Sequence, residues 1–399
     1  MSKDGKTDDT TRSDGSNDSS ASGDSESAGI ASELDALRVE IDAIDTEILA
    51  CLNRRASRVQ RVGDLKQGGL RGPIYVAARE RDLVRELVEA NQGPFPNAGI
   101  PHVFREIISA TRSLEERVRV AFLGPDGTFS HQAASRQFGA QVDFVPVTTM
   151  RDVFTMTERG DTHFGVVAVE NTIEGPISAT FDALVETDVT ICSEIKLEIS
   201  QHLMSRTGKI EDIQKVASHP QPLAQCRGWL QANLHGIELV ETTSTAAAAQ
   251  LAHADEKVAS IGSEVTAEVY DLLAIASGIE DHRGNTTRFL VVGRETPAPS
   301  GRDLTSAIFT VRRDQSGALH DLLGPFAKHG VNLTAVQSRP MKGKHWEYNF
   351  IVDLEGHQDE PAVRQALAEA AQVAASHKIL GSFPRALDVV DSSESGVAS

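Results

Sequence analysis

Apolar residues at Leu34, Leu37, Ile41, Ile44, Ile48 and Leu52 recur at the three-four spacing of a single helix face, and no proline interrupts the run from Glu33 to Lys66. Ser32 followed by Asp35 reads as a capping-box-like start. A helix over this stretch extends about 50 Å. That is too long for one compact domain to bury, so the spacing predicts a partner chain lying along it.

Charge on the same stretch is placed rather than scattered. Arg55 and Lys66 lie within about 20° of each other around the helix, whereas Arg38 points about 100° away and can reach a different pocket. The pattern predicts a second helix from about Val76, carrying Arg79 and Glu80. A third, after Pro101, puts Phe104, Ile108, Thr111 and Glu115 on one stripe. The chain carries a net charge of −18, which excludes nucleic acid as a partner because phosphates demand a basic footprint. Gathering arginine and lysine against that overall field suits a small polyanionic substrate.

In this order, LRVEIDAID, LNRRA, Lys66 and the RERD string resemble the all-helical chorismate mutases. The resemblance implies a dimer in which Arg38 serves the partner's site. It implies that Arg55 clamps a substrate carboxylate, that Lys66 faces the ether oxygen, and that Glu80 accepts from the ring hydroxyl. Arg79, Thr111 and Glu115 complete the site, with Val76 offering only its backbone N–H where relatives can have aspartate. The reaction is an intramolecular rearrangement, so it needs no nucleophile, base or metal. It needs a folded dianion and stabilisation of charge developing on the breaking ether bond. Arginine forks serve the first need and Lys66 the second. Glu115 can donate only when protonated, so mutase activity is expected to fall as pH rises.

From Val118 short β-rich runs alternate with helices, which predicts parallel sheets with helices on their faces and active residues at strand C-termini. GPDGTFS, VENTIEG, SHPQPLAQC and NTTRF fall at such junctions. Gly127 allows a sharp turn and Thr128 can cap the helix after it, leaving N–H groups open to a carboxylate. There is no GxGxxG and no Walker lysine to suggest a nucleotide. Together these strings resemble the prephenate dehydratases, whose fold is two-lobed and similar to periplasmic binding proteins. The resemblance implies a catalytic Thr287, with Asn171, Thr172, Ser218, Gln225 and Arg288 about the substrate. A threonine is too weak an acid to supply a full proton, so Thr287 reads as a positioned donor to the leaving hydroxyl. Glu170 and His219 both remain candidates for the proton itself. No metal and no organic cofactor is implied.

The Pro/Gly-rich RETPAPSGRD reads as a linker, and a β-α-β-β-α-β order follows, the ferredoxin-like split motif. It resembles the ACT regulatory domain, with GALH and a near-ESRP string pointing to phenylalanine. The effector residues so implied are Gly317, Ala318, Leu319, His320, Asn332, Leu333, Gln337 and Ser338, with Gln337 standing where the family has glutamate. The whole is a multidomain chain: a disordered acidic Ser-rich tail over 1–29, an all-α mutase domain over 30–117, an α/β dehydratase domain over 118–296, an α+β ACT domain over 303–390, and a disordered tail over 391–399. Its implied activity is a bifunctional enzyme of phenylalanine synthesis under feedback. A non-catalytic ligand-binding regulator, or a dehydratase for the amino-acid analogue arogenate, would share most of these strings. Scattered Cys51, Cys192 and Cys226, the absence of a long apolar span and an acidic start predict a cytoplasmic location.

Overall fold

The computed structural model describes residues 21–67, 75–312, 316–341 and 347–386, so residues 1–20 of the tail expected over 1–29, and all of the tail expected over 391–399, fall outside it. The chain divides into two compact units, Met1–Val62 and Gly63–Ser399. Helix α1, Ala21–Gln67, begins inside the stretch expected to be a tail, and Ser32 lies within it rather than capping it. Once a helix is nucleated each further residue adds a hydrogen bond, and no proline stops it here. The apolar stripe of Leu34, Leu37, Ile41, Ile44 and Ile48 is exposed in the single chain.

In the second unit Val76 is extended and hands over to helix α2, Ala77–Ala90, and α3 follows over Gly99–Arg112. Glu115, expected on the α3 stripe, lies in the turn beyond the helix. Next come β1 (Arg119–Leu123), α4 (Phe129–Phe138), β2 (Asp143–Val147), α5 (Met150–Arg159), β3 (Phe164–Asn171), β4 (Gly175–Pro176), α6 (Ser178–Glu186) and β5 (Thr190–Glu198). The chain then crosses to β6 (His202–Ser205), β7 (Lys215–Ser218), α7 (Pro220–Gln225), α8 (Arg227–Asn233), β8 (Glu238–Glu241), α9 (Thr245–Ala254), β9 (Val258–Gly262), α10 (Glu264–Val269) and β10 (Leu273–Ser277). It returns through β11, Thr286–Gly293.

These strands make two sheets, one ordered β2-β1-β3-β11-β5 with β4 on β3, the other β10-β6-β9-β7-β8. Two sheets joined by two crossings give two lobes with a cleft between them. The regulatory segment follows as β12 (Asp303–Arg312), α11 (Ala318–Lys328), β13 (Leu333–Pro340), β14 (Glu347–Glu355), α12 (Pro361–Val373) and β15 (Ser376–Pro384), in the sheet order β13-β14-β12-β15. That is the expected split β-α-β motif.

Strand β11 is buried on both faces, which explains its unbroken apolar run. Phe289 and Val291 pack with Phe122, Phe138 and Tyr75. Leu290 and Val292 pack on the other face with Phe181, Leu184 and, from the regulatory sheet, Ile308, Ile351 and Phe383. The first lobe is thus sandwiched between the start of α2 and the regulatory sheet.

Candidate active and regulatory sites

In the helical part of the second unit, the Lys66 ammonium lies 2.7 Å from the Glu115 carboxylate. The two residues expected at the breaking bond are therefore brought together from opposite ends of the segment. Arg38 sits on α1 paired with Asp35 at 3.0 Å, and Arg55 is half-buried on the same helix. Val76 and Arg79 begin α2, where Arg79 is exposed. Glu80 bonds Arg112 at 2.9 Å, and Arg112 in turn donates to the Phe138 carbonyl at 2.8 Å. The Thr111 hydroxyl donates back to the Ile107 carbonyl at 2.7 Å, the usual fate of a threonine in a helix interior.

Sequence reasoning missed Arg112. Only its position beside Thr111, on a stripe turning from apolar to polar, could have signalled it.

The second site forms where the C-terminal end of β3 meets the start of β11, with Thr287 paired to Asn171 across the two strands. The Asn171 amide donates to the Thr287 hydroxyl and to the Asn285 side-chain oxygen, both at 2.8 Å. Its own oxygen accepts from the backbone N–H groups of Ile173 and Glu174, so the amide cannot turn over without losing both. Thr172 joins through Asn285 at 3.3 Å. Because the Thr287 oxygen accepts from Asn171, its proton is free to point elsewhere. Asn285 lay inside the NTTRF string but was not singled out.

Around the cleft the outcome is mixed. Gly127 turns with φ +81, and an added Cβ there would come within 3.0 Å of the Tyr270 ring. Its carbonyl accepts from Ser263 and Thr266 of the opposite lobe. Its N–H, expected to be open to a carboxylate, is instead taken by His131 Nδ1 at 3.1 Å. Burial pushes His131 below the usual histidine range, and Asp126 only partly offsets this. A neutral ring is what that acceptor role requires. Thr128 caps α4 as expected. Gln221 donates to Glu174, joining the lobes at the cleft mouth. Gln225 is half-buried and accepts from Gln201, a fully buried hinge residue, at 3.1 Å.

Two expected substrate contacts are placed elsewhere. Ser218 has no exposed surface, and its hydroxyl donates to the Ile261 carbonyl at 2.8 Å, tying β7 to β9. Arg288 points away from Thr287, because neighbours on a strand face opposite ways. It bonds Glu194 at 2.8 Å and Asp353 of the regulatory sheet at 2.5 Å. Burial alone would lower Arg288, but the two carboxylates outweigh it and hold it above the ordinary arginine value.

In the regulatory segment Gly317, with φ +80, opens α11. Ala318 is buried behind it, while Leu319, His320, Asn332 and Ser338 are exposed. Leu333 packs against the regulatory core. Gln337 departs from expectation. It faces the dehydratase lobe in a small cavity with Arg288, Ser306 and Asp353, opposite in direction to Ser338.

Family models match in the same order: chorismate mutase type II over residues 37–116, prephenate dehydratase over 120–297 and the ACT domain over 305–372. A bifunctional chorismate mutase/prephenate dehydratase of Aquifex aeolicus is 46% identical over 359 residues, covering 89% of this chain and 99% of the relative. Among solved structures, a prephenate dehydratase from Arthrobacter aurescens in complex with L-Phe is 32% identical with a TM-score of 0.61, over 67% of this chain and 90% of that one. A protein described as a novel type of quorum quenching acylase aligns with the same TM-score of 0.61 at 28% identity, over 67% of this chain and 98% of that one.

Proposed function

Since this chain belongs to the bifunctional chorismate mutase/prephenate dehydratase family, we propose that it rearranges chorismate to prephenate and then converts prephenate to phenylpyruvate under feedback by L-phenylalanine. In the first reaction every atom is retained. Arg55, and Arg38 from a partner chain, hold the two carboxylates, while Lys66 meets the negative charge growing on the ether oxygen. Its pairing with Glu115 supports this role, since it brings together two residues that the family pattern assigns to the same site.

In the second reaction prephenate takes up one proton and releases carbon dioxide and water, leaving the aromatic ring. The C4 hydroxyl must depart as the ring carboxylate fragments. Thr287 donates a hydrogen bond to it. The observation that carries this assignment is the 2.8 Å bond from Asn171, which uses the Thr287 oxygen as acceptor and leaves its proton available to a substrate. His219 begins α7 with Nδ1 accepting from the Gln221 N–H at 3.4 Å, which places any ring proton on Nε2.

A homodimer is part of this reading. The exposed stripe on α1 calls for a partner, and β13 lies at the edge of its sheet. So is a cytoplasmic location, supported by three free cysteines, one of them exposed. No helix among the described residues is long and apolar enough to cross a membrane.

The test is to give the purified protein chorismate alone and follow prephenate and phenylpyruvate with and without L-phenylalanine. Phenylpyruvate that appears, and slows with phenylalanine, is the expected result. Prephenate that accumulates without conversion would refute the second activity; untouched chorismate would refute the first, and prephenate supplied directly and left unchanged would refute the second as well.

A further inference from the structure

The Arg288 ion pairs sit at an unusual place. Thr287, immediately before Arg288, opens the second site, while the guanidinium turns to the opposite face of the strand and bridges the dehydratase lobe to the regulatory sheet. It reaches Asp353, whose side chain is only 8% exposed, and Glu194, at 2%. Asp353 is held in turn by the Ser306 hydroxyl, and Glu194 by the backbone N–H of Ala386 at 2.8 Å. A buried, charge-assisted pair of this kind has a narrow range of workable geometry, because moving one partner leaves the other charge without compensation.

The effector side of this connection is written in strand β13. Ala335 pairs with Asp353, Gln337 with Ile351 and Arg339 with Asn349. These residues share the face turned to the dehydratase lobe, and Ser338 lies on the opposite face. Gln337 shares its cavity with Arg288, and the Gln337 oxygen and Arg288 Nη2 are both buried without a hydrogen-bond partner. Arg339 donates to Ser178 and lies 5.5 Å over the Phe181 ring, gripping the start of α6 just after the loop that Asn171 leads into. Strand β13 thus faces Arg288, the neighbour of Thr287, and holds the start of α6, which follows the loop after Asn171.

We propose that Arg288 is a positioning residue for Thr287 and that its ion pair with Asp353 is the link by which effector occupancy of the regulatory sheet changes dehydratase turnover. This rests on the assignments of Thr287 and of phenylalanine feedback made above. Arg288 need not touch substrate. It sets the start of β11, where the pairing with β3 slips by a residue between Arg288 and Phe289, so its pull acts where the strand is least constrained by its neighbour.

The test uses the full chain with Asp353→Asn, which keeps the shape and removes the charge. Four quantities are read: the mutase rate, dehydratase kcat and KM for prephenate, L-phenylalanine affinity by calorimetry, and the extent of inhibition at saturating phenylalanine. The link predicts an unchanged mutase rate and phenylalanine affinity, dehydratase kcat lowered at constant KM, and inhibition at saturating phenylalanine cut to a small part of its wild-type extent. Ser306→Ala, which frees the Asp353 carboxylate without removing it, should desensitise in the same direction by less. It serves if Asp353→Asn fails to fold, which a lost mutase rate would reveal. Inhibition curves for both variants that superimpose on the wild type would overturn the proposal. A wild-type rate indifferent to phenylalanine would show, before any variant is made, that the feedback reading itself had failed and this proposal with it.

Discussion

Asn171→Asp changes one group of the second site while keeping its shape. The wild-type amide donates to the Thr287 oxygen at 2.8 Å and fixes its own orientation by accepting from Ile173 and Glu174 N–H groups. An ionised aspartate keeps those two acceptor bonds but cannot donate. The Thr287 hydroxyl, buried beside it with 8% exposure, will then turn to donate to the carboxylate. Its proton is withdrawn from the leaving hydroxyl. Losing one preorganised donor in a transition state costs about 2.7–4 kcal/mol, or 10²–10³ in kcat. The Asn285 oxygen, 2.8 Å from the same amide and 4% exposed, loses this donor and keeps only the Thr172 hydroxyl at 3.3 Å, which adds about 0.5–1.5 kcal/mol of lost stability. The assay is phenylpyruvate formation from supplied prephenate, with chorismate turnover and a thermal melt on the same sample. The expected result is kcat down by at least about a hundredfold, with mutase turnover intact. A kcat within threefold of wild type would refute the claim that Asn171 leaves the Thr287 proton available to a substrate.

Lys66→Met should lower mutase turnover by about a hundredfold or more while prephenate is still converted; equal loss of both activities would place Lys66 in general folding instead. Ile41→Asp with Ile48→Asp, on the exposed stripe of α1, should halve the mass seen by light scattering and abolish the mutase, and an unchanged mass would remove the dimer reading. Burial holds both His131 and His202 below the usual histidine value, so the unfolded chain binds protons more readily than the folded one. Their contribution to stability is complete above about pH 6.5 and is lost as pH falls from there through the lower folded values. Melting temperature should accordingly drop between pH 7.5 and 5.5, with a shallower drop in His131→Asn; identical slopes would show that His131 is not buried neutral.

Periodicity carried most of the architecture because it is a local property. The three-four spacing marked α1, and the change of pattern after Val118 marked the two-lobed segment, whose strands end at the expected motifs. Pairings between distant segments were invisible. Spacing alone does not link Lys66 to Glu115, and nothing in the sequence links Asn171 to Asn285 until β3 and β11 lie side by side. Two misplacements were avoidable. If Thr287 faces the cleft, strand alternation already turns Arg288 away, and the same rule separates Gln337 from Ser338. Motif strings record which residues recur together, whereas alternation decides which of them can meet one ligand. Ser218 failed for a different reason: a small hydroxyl at a strand end serves a neighbouring carbonyl as readily as a substrate.

Three arginines at the junctions show how a chain with net charge −18 joins its parts. Arg112 runs from the helical segment to the Phe138 carbonyl of the dehydratase lobe, stacking over the Tyr75 ring at 5.2 Å. Arg81 runs from α2 to the Pro384 and Arg385 carbonyls at the end of the regulatory sheet. Arg288 closes the triangle between lobe and sheet. Each junction has at least one, and Arg339 adds a second between sheet and lobe. A planar fork that stays charged can satisfy two acceptors at once, and it does so only when both surfaces are in register. Apolar contact alone would tolerate sliding between the same faces. In a protein whose regulatory sheet must act on a catalytic strand, fixed register matters more than the net energy of any pair, because a signal carried by displacement is lost wherever the joint can slip. On that argument the three junctions differ in kind. Those made to backbone carbonyls, by Arg81 and Arg112, hold position, and only Arg288, matched to carboxylates on both sides, loses its balance when one surface moves.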